Sequence, residues 1–428
     1  MTRGTLDYAS PSRPASRGSL LTIFLIVFID LMGFGILLPN QQYYGETFGI
    51  HNAFLLTLIG PTYSLFQFLF APILGSWSDR IGRRPVLIVS QIGTLTGFFM
   101  LYGAHFVIGV SAPLAIFLLY FSRVIDGISG GNISTASAYI ADITTPENRA
   151  KGMGLIGAAF GLGFIFGPFI GGEVGWYLGL EYVPLAAALF SAVALVLTVT
   201  KLPESHHPGE LTEGLRRFTI TGLRHALGRP IIGMMILMGF VNGFAFAGME
   251  QTFSLLIQYR AQLDARAASK ASGHLFGAIG LIIAIVQGGL IGRLTKRFGE
   301  PALLIVGPLM IAAGLVFVGA DWRGMNVPGV WRWFILGSAL LALGSSLFNP
   351  SLQGLISRHA QQREQGEILG AAQGMASLAR AVGPMLAGFL YWWFFPATPY
   401  YVSAAICVAV AIVALIRQKQ LRPPVLQV

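Results

Sequence analysis

Residues 75–85 read Gly75-Ser-Trp-Ser-Asp79-Arg80-Ile-Gly82-Arg83-Arg84-Pro85. This short charged segment separates two apolar runs, 54–76 and 85–104. A bilayer core about 30 Å thick takes roughly 20 helical residues to cross, so each run is long enough to span it. The segment then reads as a tight basic turn joining two spanning helices at one membrane face, with Gly82 as its bend. The same alternation of long apolar run and short polar turn continues in both directions. Over its 428 residues the chain is 54% hydrophobic and only 11% charged, where soluble proteins carry about 25% charged residues. Too little polar surface remains to cover a water-soluble body, which excludes a soluble multidomain enzyme.

The spacing predicts an all-α polytopic membrane protein of twelve spans, at 20–43, 54–76, 85–104, 113–141, 150–173, 180–200, 230–258, 272–293, 301–320, 332–357, 365–394 and 398–416. The polar stretch 201–229 reads as a linker between two six-helix halves, 20–200 and 230–416, with tails at 1–19 and 417–428. The polar N-terminal residues do not resemble a cleaved signal. Cys407 is the single cysteine and excludes an intrachain disulfide. With both termini inside, cytoplasmic segments hold 21 Lys and Arg, external loops hold 5, and Arg123 and Arg380 fall within spans. The positive-inside rule therefore places both termini in the cytoplasm. The net charge of +10 reflects that topology and gives no support to a nucleic-acid partner.

The two halves repeat each other weakly. After span 8 the chain reads Gly292-Arg-Leu-Thr-Lys296-Arg-Phe-Gly-Glu300-Pro301, an echo of 75–85. Span 5 carries Gly167-Pro168 with Gly171-Gly172, and span 11 carries Gly383-Pro384 with Gly388. Repeated halves with a site between them are a recurring plan of secondary transporters.

These residues resemble the major facilitator superfamily, and within it the drug/proton antiporters that include the tetracycline-efflux proteins. The turn matches the family's signature between helices 2 and 3 through Gly75, Asp79, Arg80, Gly82, Arg83 and Arg84. Span 4 carries Arg123 and Gly127 in the R-x-x-x-G pattern. Span 5 carries Gly163, Gly167, Pro168, Gly171 and Gly172 in a motif that marks exporters. Span 1 carries Asp30 and Pro39 at the spacing of the efflux branch. The resemblance implies a conformational latch in which Asp79 and the arginines form a charge network with Asp142 at the end of span 4 and with span 11. It also implies a part in proton coupling for Arg123. Without the family, the arginines serve equally as a topology anchor. The span 5 glycines give a bare helix face for close packing, for gating, or for both. The second turn has Lys296 and Glu300 at the equivalent places, so its latch is altered.

Five ionisable residues fall inside the predicted spans away from their ends: Asp30, Arg123, Asp126, Glu250 and Arg380. A charge at the bilayer centre costs about 2.5–3.5 kcal/mol, so such groups pair, face water, or work. Arg123 and Asp126 are three residues apart on one helical face and can pair; alternatively Asp126 is a second proton site. Asp30, near mid-membrane, suits proton carriage, because desolvation favours the protonated form of a carboxylic acid. Glu250 sits with Gln251 among Phe244, Phe246, Met249 and Phe253, a setting that fits a cationic or amphipathic substrate. Arg380 either pairs with Glu250 or binds an anionic group. Asn349-Pro350 predicts a break in span 10, tolerable where the backbone lines a cavity.

The expected function is secondary active transport, proton-coupled export of a small organic compound by alternating access. A uniporter or lipid or metabolite carrier on the same fold, and a non-transporting receptor or scaffold, are the competing readings. The expected partners are a small-molecule substrate, protons and the lipid bilayer, for a monomer in a cell membrane. The sequence holds no metal-ligand cluster, phosphate loop or Ser/His/Asp constellation, so no cofactor, metal or enzymatic activity is expected.

Overall fold

The computed structural model describes residues 17–144, 146–205, 220–320, 327–360 and 365–421. Most of each tail and residues 206–219 of the linker lie outside the described residues, among which there is no strand. The long helices are α1 Arg17–Leu37, α2 Ala53–Ile81, α3 Arg83–Val107, α4 Ala112–Gly130 resuming as Ile133–Ile143, α5 Pro146–Tyr177, α6 Val183–Lys201, α7 Pro230–Ala261, α8 Ala265–Phe298, α9 Glu300–Gly319, α10 Val327–His359, α11 Gln365–Trp393 and α12 Thr398–Ile416. Eleven of them are long and apolar enough to cross a membrane. The remaining one, α11, has 29 residues but is more polar, with Glu367, Gln373 and Arg380 along it.

Local chemistry sets the ends. Asn52 caps α2 by accepting from the Phe54 amide at 2.9 Å, and Asp264 caps α8 through the Ala267 amide at 2.7 Å. Gly82 (φ 104°) and Gly299 (φ 80°) turn the chain between α2 and α3 and between α8 and α9, in backbone conformations that only glycine adopts without strain.

Several ends shift by a few residues, α2 running on to Ile81 and α8 starting at Ala265, and three further features differ from the sequence expectation. The first span, expected over 20–43, ends at Leu37, where Pro39 cannot continue the hydrogen-bond ladder. A short buried helix, Gln41–Thr47, follows it. Span 4, expected as one helix, is interrupted at Gly131-Asn132. There α4 crosses α2 so closely that a Cβ on Gly131 would stand 2.9 Å from the Ala71 amide nitrogen. The break expected at Asn349-Pro350 is absent, and α10 runs through Pro350 to His359. Packing on both sides holds it in line: Phe348 lies against Gly307 of α9 and Leu352 against Gly239 of α7.

Within the first six helices α1 packs on α5 and α6, and α4 packs on α2 and α3; within the last six α7 packs on α11 and α9 on α10 and α12. The two sets meet along α2–α11 and α5–α8. At the end away from the 75–85 turn these seams are tight. A Cβ on Gly172 would stand 3.2 Å from the Cα of Gly273, and one on Gly280 would stand 3.0 Å from that of Ile165. At the end carrying Arg83, Arg297 and Arg358, here termed the basic end, the same two helices diverge. Gly157 and Gly161 of α5, and Gly288, Gly289 and Gly292 of α8, have nothing within 4 Å of where a Cβ would stand. The molecule is closed at one end and open at the basic end.

Candidate functional site

At the basic end the Arg83 side chain is 1% exposed and lies between two carboxylates. Nη1 meets Asp79 Oδ1 at 2.5 Å and donates to Ser78 Oγ at 2.7 Å, while Nε meets Asp142 Oδ2 at 2.9 Å. A buried guanidinium persists only with such partners. Arg84 donates to the Val199 carbonyl at 2.5 Å, which tethers α3 to the end of α6. Arg80 is exposed, and Gly75 lies 3.5 Å, measured from an added Cβ, from Ser134 Oγ of α4. A further residue, which the sequence reading left in the linker, completes the cluster. Glu204 accepts from the Arg83 and Arg84 amides at 2.9 and 3.1 Å, so an anion sits on the N-terminus of α3. The signal was a glutamate after Pro203, directly beyond α6.

In the second half Lys296 is exposed where Asp79 stands in the first. Glu300 follows Gly299 and meets Arg358 near the end of α10 at 3.3 Å.

Between the ends lie the membrane charges. Asn132 Nδ2, at the break in α4, donates to Asp30 Oδ2 at 2.9 Å. Arg123 and Asp126 pair at 3.1 Å, each 3% exposed, with Arg123 also 5.8 Å from the Phe98 ring centroid. Arg380 Nη2 donates to Ser377 Oγ at 2.9 Å on its own helix. It influences Glu250 electrostatically, without an ion pair between them at contact distance. Tyr63 of α2, unremarked in the sequence, sits among these groups. Its ring stacks on Phe34 at 4.8 Å, its hydroxyl accepts from Gln67, and it lies within electrostatic reach of Asp30, Arg123, Asp126 and Arg380. Phe246 is partly buried against the core around Met249 and Phe253, and Asn349 is exposed on α10.

The end away from the basic one is closed by amides. Gln41 Nε2 donates to Gln251 Oε1 at 2.5 Å, and Gln42 Nε2 donates to the Gln251 carbonyl at 2.7 Å. Tyr43 donates to the Ser254 carbonyl at 3.0 Å, and Asn40 bonds Ser269. Gln251, grouped with the cavity by sequence, is thus part of the closure, with Glu250 the next residue inward along α7. Glu173 of α5 adds contacts to His274 at 2.5 Å and Lys270 at 3.8 Å on α8. Burial pushes the Glu46 carboxyl above its ordinary range, against opposing contributions from Gln258 and His51. The span 5 motif faces two ways. Gly163, Gly167 and Gly171 lie against Leu31, Gly35 and Ile36 of α1, with Pro168 beside Gly35, whereas Gly172 lies against α8.

The Major Facilitator Superfamily model matches residues 23–323 and 288–426. The chain belongs to the major facilitator superfamily. Within it, the chain is 30% identical over 383 residues to the class C tetracycline resistance protein of Escherichia coli, covering 88% of this chain and 90% of that protein. It is 29% identical over 429 residues to human major facilitator superfamily domain-containing protein 10, covering 89% of each. The crystal structure of the human organic anion transporter MFSD10 (TETRAN) superposes with a TM-score of 0.66 at 27% identity, over 94% of this chain and 100% of that one. The nucleoside transporter NupG superposes with a TM-score of 0.71 at 14% identity, over 94% and 99%, a likeness of fold. This superfamily member is accordingly a multi-pass membrane protein of a family of transporters.

Proposed function

We propose that the chain is a proton-coupled exporter that carries a small organic compound out of the cell by alternating access. The observation that carries this reading is a central layer of charges, Asp30 on the first helix of one half and Glu250 and Arg380 on the first and fifth helices of the other. This layer lies between an end closed by Gln41, Gln42 and Gln251 and an open basic end. By its excess of Lys and Arg the basic end faces the cytoplasm, so the cavity takes substrate from inside. Uptake of protons from outside by Asp30 or Glu250 in the opposite state would drive the return. The Arg83 cluster holds α2, α3, the end of α4 and the start of the linker as one unit, so that the half moves as a body, and the glycines of α5 provide the surface on which it slides. The similarity to tetracycline resistance proteins supports export.

A second reading concerns the substrate. Among the described residues Arg380 has no carboxylate at contact distance, so a partly buried cation is left for an anionic group on the substrate; the likeness to an organic anion transporter supports it. Purified protein in vesicles, loaded with tetracycline or with an aromatic carboxylate, tests both. A proton-coupled exporter accumulates a probe uphill when a pH gradient is imposed. Equal flux with and without the gradient would instead support the uniporter.

A further inference from the structure

The interruption of α4 is constructed. Gly130 and Gly131 let α4 press against α2, where a Cβ on Gly130 would stand 2.9 Å from the Tyr63 ring. The Gly130 carbonyl left over by the break accepts from Gln67 Nε2 at 3.0 Å. The helix resumes at Ile133 with Asn132 before it. An asparagine in that place ordinarily turns its side chain back to cap the following helix. Here Asn132 makes no such bond. It is 5% exposed and gives its amide to another helix, meeting Asp30 Oδ2 at 2.9 Å. The second oxygen, Asp30 Oδ1, is buried without a hydrogen-bond partner.

We propose that Asn132 is a positioning residue for Asp30, holding one carboxylate oxygen against the break in α4 so that the other is the atom that takes up and releases the proton. This rests on reading Asp30 as a proton carrier. An ionised carboxylate only accepts, so the amide nitrogen is the group that must face it. A charge-assisted hydrogen bond is roughly twice as strong as a neutral one, so the contact favours the ionised form and makes release of the proton possible in a buried place. The other titratable or charged groups around Asp30 are Asp126 with its partner Arg123 on α4, and Tyr63 on α2. The adjoining stretches of α5 (155–172) and α6 (183–200) carry no charged side chain. Arg123 is engaged by Asp126 and the Tyr63 hydroxyl by Gln67. Asn132 is therefore the side chain among the described residues that bonds Asp30 directly.

The test uses the full chain purified into lipid vesicles and needs no substrate. Infrared difference spectroscopy follows the protonated-carboxyl band as pH rises, and the part lost in Asp30→Asn belongs to Asp30. In Asn132→Leu and Asn132→Ala that part should persist to higher pH, its midpoint displaced by about one unit, roughly tenfold in proton affinity. Neither substitution should alter the remaining signal when combined with Asp30→Asn. An Asp30 midpoint unmoved in both variants overturns the positioning role and leaves the proton-carrier reading standing. If Asp30→Asn removes no part of the band, both fall together.

Discussion

Arg83 and Glu300 stand at the same step of the two halves, each directly after a glycine of positive φ, and carry opposite charges. Arg83 reaches Asp142 near the end of α4 at 2.9 Å, and Glu300 reaches Arg358 near the end of α10 at 3.3 Å. The architecture of the turn is repeated with the sign of the ion pair reversed. The environments differ as well, since the Arg83 side chain is 1% exposed and the Arg358 side chain 58%.

That difference in exposure predicts unequal costs. Arg83→Ala removes the buried cation that pairs with the largely buried Asp142 and leaves a cavity in its place, and should lower stability by about 3–5 kcal/mol. Glu300→Gln, whose partner is solvated, should cost about 1 kcal/mol or less. Thermal unfolding of the two purified variants compares them. Equal losses would mean that both pairs bear on the fold alike.

Asp79 stands apart from its neighbours in the cluster. Arg83 keeps Asp142 when Asp79 is neutralised, so Asp79→Asn should insert and fold as the parent does while its transport rate falls. Transport at the parental rate would reduce the turn to a topology anchor.

The closure by amides can be loosened without touching the membrane charges. Gln251→Ala removes the acceptor of Gln41 and leaves the end opposite the basic turn held by fewer bonds. In a chain with Cys407 replaced by serine, a single cysteine at Thr57, buried against Gly388, should then react from outside about fivefold faster or more. An unchanged rate would show that Gln251 does not hold the end shut. The same background tests topology. Cysteines at His51, His105 and Arg323 should be labelled from outside and one at Glu210 should not, the last two positions lying outside the described residues.

How much of this was open to reading in the sequence depended on the distance over which each residue acts. Asp79, Gly82 and Arg83 lie within five residues of one another, so spacing alone brought them together. Arg123 and Asp126 share a helical turn, and the pairing that their spacing allowed is the one present. Pro39 and Pro350 show the limit of local rules. The first ends a helix and the second does not, because α10 is held on both flanks by α9 and α7. Glu204, Asn132, Tyr63, Gln41 and Gln42 passed unnoticed. Apart from Tyr63, each is an ordinary polar residue whose partner lies 102 or more positions away. Apart from Pro203 before Glu204, nothing near them in the chain marks the role, which exists only once helices cross.

Whether a membrane carboxylate carries the driving proton is measured directly by flux in vesicles with and without an imposed pH gradient. Asp30→Asn and Glu250→Gln are compared with the parent using a probe that the parent accumulates uphill. Replacing the carrier should abolish uphill accumulation and leave downhill exchange, which needs the binding site and not the proton. Full gradient-driven accumulation in both variants would contradict the account.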